Sequence, residues 1–307
     1  MPAPHPSGRR RRPVVVVGDV GVDVLVRPGG PVAHGDDTPS RTRIVPGGAG
    51  GNTAAWLASE GVPVALVSRV GRDDAARSAR RRLEDDGVVC RFVTDRERPT
   101  CVVVVIIESD GERTMLPDRG ANAALTPDDL DLEGAARAAA VVGGADVTAR
   151  PHLHLSGFVL LDPRSRPAGV AALDRARRLG WSTSVDPQAA SHLVTEGVAA
   201  FLGWVGGVDL LLPNALEATT LGGDAAMLRA ASAVAVSAGA DGARWLESAH
   251  TWQAAAPQVT GGDATGCGDA FDAGVLAAWT TGSDPEVCLA RGVALGSAAA
   301  GREGARP

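Results

Sequence analysis

Short segments typical of strands alternate with helical segments through the second half of the chain, and few folds accommodate such an order. The pattern predicts strands at 152–156, 182–186, 208–212 and 233–237, and helices at 165–179, 192–201, 215–221 and 225–231. Strands that alternate with helices predict a parallel sheet with helices on both faces. No repeat or long linker interrupts this half, so we expect it to fold as one body.

The same patterns predict the remaining elements. Four valines at 14–17 are typical of a buried strand, and alternating valines from 20 to 26 place Asp23 on the face opposite them. The run 102–107, a turn at 109–112 and a strand at 113–116 predict a hairpin. The other predicted elements are a helix at 53–59, a strand at 64–70, and helices at 73–87, 271–279 and 286–299.

A glycine-rich segment carries the strongest chemical signal. Gly266, Cys267 and Gly268 precede a helix that is predicted from 269 to about 281. Backbone N–H groups at a helix start bind anions, because they lack partners within the helix and the helix dipole favours negative charge. Asp269, just inside this turn, would repel a phosphate and attract a hydroxyl, which suits an enzyme that brings an alcohol to a phosphoryl group. The alternative is a connection whose glycines only supply positive φ.

Two signatures then carry a resemblance to a known family. Residues 263–269, Asp-Ala-Thr-Gly-Cys-Gly-Asp, resemble the Asp-Thr-Thr-Gly-Ala-Gly-Asp signature of the ribokinase (PfkB) family of carbohydrate kinases, and 46–55 resemble its Gly-Gly-x-x-x-Asn signature. The resemblance implies an α/β, ribokinase-like fold with a mostly parallel central sheet, helices on both faces and a small β-sheet lid at about 20–46 and 98–118. It implies one domain over 14–307, after a disordered basic tail at 1–13, and a homodimer formed through the lid.

The resemblance also implies an acceptor site. In this family the carboxylate at the position of Asp23 holds sugar hydroxyls, Gly47 and Gly48 allow close approach of a ligand, and Asn52 offers a donor and an acceptor to a polyol. Asn52 is equally consistent with a plain helix N-cap, and Asp23 with a solvated strand residue. Arg119 aligns with an arginine that ketodeoxygluconate kinases use on a carboxylate, although other residues of that subgroup are absent here.

Phosphoryl transfer requires an aligned acceptor oxygen and groups that offset charge on the transferred phosphoryl. Asp269 is the candidate base, because a carboxylate that accepts the proton of a primary hydroxyl contributes roughly 100- to 10,000-fold in rate. Gly266, Cys267 and Gly268 would donate backbone N–H groups to the developing negative charge. Cys267 stands where the family usually has Ala or Gly.

Further matches imply nucleotide and metal contacts. Asn214 and Glu217, after strand 208–212, resemble the Asn-x-x-Glu motif and would orient waters around Mg²⁺, although the same pattern is a capping box. Asp263 and Thr265 match positions at which ribokinases bind a monovalent cation such as K⁺. The implied nucleotide contacts are Asn214, Ser237, Gly239, Gly242, Thr265, Gly266 and Gly268, with Ser237 in place of the usual threonine.

Composition excludes several classes of protein. None of the 30 basic residues is lysine, which excludes a Walker-A P-loop, the protein-kinase strand motif and a Schiff-base mechanism. No Gly-x-Gly-x-x-Gly opens a helix after a strand, so a dinucleotide site lacks its fingerprint. The net charge of −6 offers no footprint for nucleic acid, and no apolar run approaches the ~20 residues that span a membrane. Four cysteines without Cys-x-x-Cys spacing indicate a reduced, cytoplasmic protein.

These observations predict an ATP-dependent, Mg²⁺-requiring kinase that acts on a hydroxymethyl group of a small sugar. Residues 120–126, Gly-Ala-Asn-Ala-Ala-Leu-Thr, resemble a run of ribokinases, which favours ribose over fructose, 2-keto-3-deoxygluconate and nucleosides. The chain stops at 304–307, where the family usually continues through one more helix, and 214–237 is shorter than usual. A catalytically weak sugar- or nucleotide-binding protein on this fold is therefore the alternative from another class.

Overall fold

Two β-sheets organise the chain in the computed structural model, which describes residues 11–108, 113–259, 265–302 and 304–307. The strands are β1 (Val14–Val17), β2 (Gly21–Pro28), β3 (Ser40–Gly47), β4 (Val64–Val70), β5 (Val89–Thr94), β6 (Cys101–Ile107), β7 (Arg113–Asp118), β8 (His152–Ser156), β9 (Ser182–Asp186), β10 (Val208–Leu211), β11 (Ala231–Ser237), β12 (Ala243–Leu246) and β13 (Thr251–Ala254). The helices are α1 (Ala49–Ser59), α2 (Asp74–Asp85), α3 (Leu132–Val142), α4 (Phe158–Leu161), α5 (Arg166–Arg178), α6 (Ala190–Glu196), α7 (Val198–Val205), α8 (Ala215–Thr220), α9 (Asp224–Ala230), α10 (Cys267–Trp279) and α11 (Pro285–Ala300). Short 3-10 turns lie at Gly120–Ala124, Pro127–Asp129 and Gly239–Asp241.

The larger sheet has nine strands in the order β13-β12-β11-β10-β9-β8-β1-β4-β5. Every neighbouring pair from β11 to β5 is parallel, whereas β12 and β13 are antiparallel additions at one edge. The prediction of a mostly parallel sheet is confirmed. Because the strands from β11 to β5 run in one direction, their carboxyl ends meet along a single edge of the sheet.

The strand β1 shows how the two faces of this sheet are buried. Val15 and Val17 belong to one apolar core with α3, α5 and α7, whereas Val14 and Val16 belong to a second core with α1, α2, α10 and α11. None of the four valines is exposed to solvent. A strand that is buried on both faces needs apolar residues at every position, which explains the unbroken run of valine.

Predicted elements agree with the structure where the local pattern is simple. The strands at 64–70, 152–156 and 182–186 have the predicted bounds. The predicted single helix at 192–201 is wrong: Gly197, with a φ of 92°, separates α6 from α7. The patterns also fail to predict β5, the alanine-rich α3 and the edge strands β12 and β13, which lack the long apolar runs of central strands.

The smaller sheet has the strand order β3-β2-β6-β7 and is separate from the larger sheet. Its central pair, β2 and β6, is parallel, and both outer pairs are antiparallel. Leu25, Val105 and Ile107 form a small apolar cluster on it. The four strands occupy the two segments for which the resemblance implies a lid.

Most of the predicted disordered tail, 1–13, lies outside the described residues. Arg11 and Pro13 are described: Arg11 Nη1 donates to the carbonyl of Glu60, and the His152 N–H donates to the carbonyl of Pro13. The turn predicted at 109–112 also lies outside them. Within the described ranges, no helix has the length and apolar character needed to cross a bilayer.

Asn122 ties the start of the smaller sheet to the larger one. Its Nδ2 donates to the Val20 carbonyl at 2.9 Å, and its Oδ1 accepts from the Val20 N–H at 3.3 Å and from the Ser68 hydroxyl at 2.9 Å. All three residues are buried.

The variant Asn122→Ala would leave both backbone groups of Val20 without a side-chain partner. We expect it to lower the free energy of unfolding by about 2–4 kcal/mol in urea denaturation.

Thr126→Ala is the matched control for this variant. Thr126 is exposed and caps a 3-10 turn through a capping box, so its loss is expected to cost at most about 1 kcal/mol. Equal losses in the two variants would contradict the structural role of Asn122.

Candidate active site

A cavity of about 170 Å³ lies at the carboxyl ends of the parallel strands. Its lining residues follow β9, β10 and β11 or begin α10, which is the edge where open α/β sheets bind ligands. They are Asp186, Gln188, Leu212, Asn214, Glu217, Ser237, Gly266, Gly268, Asp269 and Asp272. Residues predicted from three distant parts of the sequence therefore meet in one space. A second, larger cavity of about 310 Å³ lies beside α2, and none of its lining residues lines the first cavity.

Helix α10 begins at the glycine-rich segment. Gly266 precedes the helix with a φ of 75°, in the left-handed region that glycine tolerates. A Cβ on Gly266 would lie 2.6 Å from the Cβ of Ala305, so space also excludes a side chain there. Asp269 is the third residue of α10 and lines the same cavity as Gly266 and Gly268. A carboxylate and the amide end of one helix thus face a common space.

Asn52 reaches Asp269 from a distant part of the chain. It is the fourth residue of α1 and is buried, and its Nδ2 donates to Oδ2 of Asp269 at 2.9 Å. The N-cap of α1 is Gly48, with a φ of 86°. The alternative interpretation of Asn52 as an N-cap is therefore wrong, and its amide is directed at the predicted base.

The surroundings of Asp269 favour its protonated form. Burial raises the pKa of this carboxyl to about 8 against the opposing hydrogen bond from Asn52, and the neighbouring carboxyls of Asp186 and Asp23 add to the rise while Arg306 opposes it. A carboxyl with a pKa in this range is a stronger proton acceptor, once ionised, than an exposed aspartate.

Asp23 lies in β2 and is only 5% exposed, so its interpretation as a solvated strand residue is wrong. Burial raises the pKa of the Asp23 carboxyl to about 6, although Arg306 lowers it. A Cβ on Gly47 would lie 2.1 Å from Oδ1 of Asp23, and one on Gly48 would lie 2.6 Å from the carbonyl oxygen of Asp19. The room left by both glycines is therefore taken up by the protein itself.

Arg119 is paired with acidic side chains of the protein. Its Nε and Nη2 donate to the two carboxylate oxygens of Asp19 at 2.8 and 2.7 Å, and its Nη1 lies 2.9 Å from Oδ2 of Asp162. Nη1 also donates to the hydroxyl of Ser165 at 3.2 Å. Two carboxylates thus already neutralise the guanidinium for which the resemblance implies a substrate carboxylate.

Asn214 and Glu217 form a capping box and line the cavity as well. The Asn214 N–H and Nδ2 donate to the Glu217 carboxylate at 2.9 and 2.6 Å, and the Glu217 N–H donates to Oδ1 of Asn214 at 2.9 Å. Ser237 lies beside them through a bridge between β11 and Asn214. The structural and the functional interpretations of this motif are therefore compatible.

The other predicted contacts lie around this cavity or outside the described residues. Gly239 and Gly242, with φ of 56° and 88°, shape the turn after β11 but do not line the cavity. The hydroxyl of Thr265 accepts a hydrogen bond from Arg113 at 2.7 Å. Asp263 lies outside the described residues.

Four cavity residues have no counterpart among the predicted site residues: Asp186, Gln188, Leu212 and Asp272. Asp186 ends β9, and Asp272 lies one helical turn beyond Asp269, so strand-end position and helical spacing are the signals that could have found them. Gln188 has a φ of 72° and donates both its N–H and its Nε2–H to Asp186. Positive φ in a residue other than glycine is strained and recurs at functional sites.

Asp186, Glu217 and Asp272 form a cluster of acidic side chains whose pKa values are raised. Burial raises the pKa of Asp186 to about 6 and that of Glu217 to about 9, and Asp186 adds to the rise at Glu217. Burial and the neighbouring carboxyls raise the pKa of Asp272 well above its usual value. Asp272 is 2% exposed, and its Oδ2 has no hydrogen-bond partner among the described residues.

This donor set fits Mg²⁺. Buried carboxylate and amide oxygens are the hard ligands that Mg²⁺ prefers, and an unpartnered Oδ2 indicates that the cluster lacks a positive partner. In the described part of the chain, no three His, Cys, Asp or Glu side chains come close enough to hold a metal ion by themselves. The arrangement therefore suits an ion that keeps part of its water shell.

With this fold, the site is that of an α/β phosphotransferase that acts on an alcohol. Residues 11–307 match the pfkB family carbohydrate kinase, and the chain belongs to this family. The ATP-dependent ribose-1-phosphate kinase of Halopiger xanaduensis is 33% identical over 302 residues, which cover 95% of this chain and 93% of that protein.

Solved structures extend this similarity to the fold. The adenosine kinase of Sinorhizobium meliloti superposes with a TM-score of 0.83 at 23% identity, over 97% of this chain and 96% of that one. A putative Ribokinase II from E. coli in complex with ATP and Mg²⁺ superposes with a TM-score of 0.82 at 22% identity, over 96% and 94%. The predicted ribokinase-like fold is confirmed, and the chain is an ATP-dependent carbohydrate kinase.

The acidic cluster makes stability depend on pH. The folded protein holds protons on carboxyls of raised pKa that the unfolded chain has already released, so the free energy of unfolding falls as pH rises from about 5 to about 9. Asp272→Asn replaces one such carboxyl by an amide that still donates to Asp186. We expect this variant to match the wild type at pH 5 and to exceed its free energy of unfolding by about 1–2 kcal/mol at pH 8.5.

Urea unfolding at pH 5, 7 and 8.5 measures this effect. Asp128→Asn, which removes an exposed carboxylate, is the control and is expected to leave the pH slope as in the wild type. The same slope in Asp272→Asn and the wild type would show that Asp272 carries no proton in the folded state.

Proposed function

We propose that this kinase transfers the γ-phosphate of ATP to the hydroxymethyl group of a ribose-like sugar, with Asp269 as the general base. The observation that carries the proposal is the hydrogen bond between Asp269 and Asn52 at the amide end of α10. It joins the base to the proposed acceptor site, and we assign Oδ1 of Asp269 to accept the proton of the hydroxyl. The oxygen of the sugar hydroxyl attacks the γ-phosphorus while its proton passes to the Asp269 carboxylate. The bond between the γ-phosphorus and the terminal oxygen of ADP breaks, and ADP leaves.

The start of α10 supplies the charge stabilisation. Gly266, Cys267 and Gly268 lie at the start of α10, and in our proposal their backbone N–H groups donate to the transferred phosphoryl group. One well-placed donor contributes roughly 100- to 1,000-fold in rate. The thirteen-residue helix adds its dipole. No lysine is needed for this, which agrees with a chain that has none.

We assign the acceptor site to Asp23, Gly47, Gly48 and Asn52. The burial of Asp23 supports a role on sugar hydroxyls, because hydrogen bonds from a bound sugar would offset the cost of burying a carboxyl. Arg119 was a predicted substrate contact, but its pairing with Asp19 and Asp162 supports a structural role. Because Asp19 and Asp162 already neutralise Arg119, the site favours an uncharged ribose-like acceptor over ketodeoxygluconate, which carries a carboxylate.

The nucleotide contacts are proposed at the opposite side of the cavity, around Asn214 and Ser237. Asn214 and Glu217 would hold Mg²⁺ through water, and Mg²⁺ supplies charge neutralisation for the nucleotide phosphates when bound. Gly239, Gly242, Thr265, Gly266 and Gly268 complete the proposed nucleotide contacts. K⁺ at Asp263 and Thr265 stays a proposal that rests on the resemblance alone.

Names of similar proteins support a ribose ring as the acceptor. A ribose-1-phosphate kinase and an adenosine kinase both act on a ribose that carries a substituent at C1. We therefore place a C1-substituted ribose, such as ribose 1-phosphate, beside ribose at the head of the substrate panel. Fructose, ketodeoxygluconate and nucleosides follow.

A cytoplasmic location is supported by four cysteines that form no disulfide.

Coupled ADP production with this panel tests the function. We expect Mg²⁺-dependent ADP release with a ribose-like acceptor, and Asp269→Asn to lower kcat by roughly 100- to 10,000-fold while acceptor binding stays measurable. Asp284→Asn, at the exposed start of α11, is the control and keeps wild-type kcat. Unchanged kcat in Asp269→Asn removes the assigned base. A wild type that binds sugars but releases no ADP supports the alternative of a binding protein.

We also propose a homodimer formed through the smaller sheet. Its outer strands expose Ile44, Met115 and Leu116, at 70%, 56% and 54% of their surface. Exposed apolar residues on a sheet favour association with a second copy. We expect Ile44→Asp to convert a dimer into a monomer in light scattering, and Val142→Asp, which changes an exposed residue of α3, to leave the mass unchanged. A wild-type monomer at micromolar concentration would contradict the proposal.

A further inference from the structure

Arg306 reaches the acceptor site from the last residues of the chain. Its Nε donates to Oδ1 of Asn52 at 3.2 Å, and its Nη2 donates to the carbonyl of Gly47 at 3.0 Å. Asn52 in turn donates to Asp269. We propose that Arg306 is a positioning residue that holds the amide of Asn52 in the orientation that serves the base. This inference rests on the proposed role of Asp269.

The chemistry of the three groups allows one orientation of the amide. A guanidinium only donates hydrogen bonds, so the atom of Asn52 that faces Arg306 must be Oδ1. An ionised carboxylate only accepts, so the atom that faces Asp269 must be Nδ2. Both ends therefore require the same rotamer. Without Arg306, the amide of Asn52 can turn its Oδ1 towards Asp269. Oδ1 then accepts a hydrogen bond from the protonated carboxyl and stabilises that form, so less of Asp269 is ionised and able to accept a proton.

The absence of a side chain on Gly51 leaves space for the guanidinium of Arg306. A Cβ on Gly51 would lie 2.6 Å from Nη2 of Arg306, so a larger residue at this position of α1 would displace the side chain. Trp56 Nε1 donates to the carbonyl of Ala305 at 3.0 Å, and Ala305 packs against Gly266. The residues 304–307 thus contact both helix starts that form the proposed site.

Arg306 also brings positive charge to the acidic site. Burial lowers the pKa of its guanidinium to about 10, and the carboxyls of Asp86, Asp23 and Asp269 oppose this change. Nη1 is buried and has no hydrogen-bond partner among the described residues. The costs of burying this group are consistent with a function beyond packing.

The effect on Asp269 has a definite sign. Loss of the Asn52 hydrogen bond raises the pKa of this carboxyl, so more of the base is protonated at neutral pH. The charged and titratable groups that act on Asp269 are Asp23 from β2, Asp186 from the end of β9, Asp272 from its own helix and Arg306, and Glu217 from α8 lines the same cavity. Among these, Arg306 alone is also bonded to Asn52.

The pH profile of kcat/KM tests the positioning role. For Arg306→Met we expect the acidic limb to move up by about one pH unit, which is a loss of about tenfold at pH 6.5 and about twofold at pH 9. Arg302→Gln, which removes an exposed guanidinium four residues away, is the control and keeps the wild-type profile. A loss that is equal at all pH values would indicate a structural defect and overturn the proposal.

A double-mutant cycle with Asn52→Ala separates positioning from direct charge. If Arg306 acts through Asn52, Arg306→Met lowers kcat/KM less than twofold further in the Asn52→Ala background. A further tenfold loss there would overturn the proposal. Arg306→Lys keeps the charge but not the Nε–H geometry, so we expect it to resemble Arg306→Met. Wild-type behaviour of Arg306→Lys would assign the effect to charge alone.

Two measurements keep the outcomes distinct. ADP affinity and melting temperature are expected to be those of the wild type in Arg306→Met, which shows that the variant folds and that the nucleotide side is intact. If Asp269→Asn retains ADP production, the proposed function fails. If Asp269→Asn is inactive and the cycle is additive, the positioning role of Arg306 fails and the proposed function stands.

Discussion

The hydrogen bond between Asn52 and Asp269 joins the starts of two helices, α1 and α10, that are 217 residues apart in the chain. Each helix is preceded by a glycine with a positive φ, Gly48 and Gly266. Glycine there lets the backbone enter the helix with no side chain in the way, so the two polar side chains approach to bonding distance. The two helices pack against each other, and Asp269 at the start of α10 both accepts this hydrogen bond and lines the cavity.

Carboxyl groups are buried at this edge at a cost in stability. Asp186, Glu217, Asp269 and Asp272 all have raised pKa values, because burial disfavours their charged forms. Such a cluster is stable either with protons bound or beside a cation. The two apolar cores on the faces of the sheet supply the stability that permits it. A site built in this way is ready for a positively charged partner and for proton transfer.

The local sequence was sufficient for elements that are buried on both faces. The valines of β1 have no polar interruption, so apolar pattern and strand coincide there. β4, β8 and β9 include polar residues, but nearly all of their residues are buried. It was insufficient where backbone conformation depends on one residue. Gly197 divides a predicted helix into α6 and α7, although its neighbours have helical composition. The strand β13 pairs with β12 alone, and both strands are only four residues long and have no long apolar run to reveal them.

The sequence by itself determined the alternation of strands and helices in the second half, the glycines at two helix starts and the absence of lysine. These properties are local or compositional, since each depends on residue type and on close neighbours. Only the tertiary structure decided that Asn52 faces Asp269, that Arg119 is neutralised by Asp19 and that Arg306 reaches Asn52. Contacts of this kind join segments far apart in the chain. They depend on how the sheet and its helices pack, which no local pattern of residues encodes.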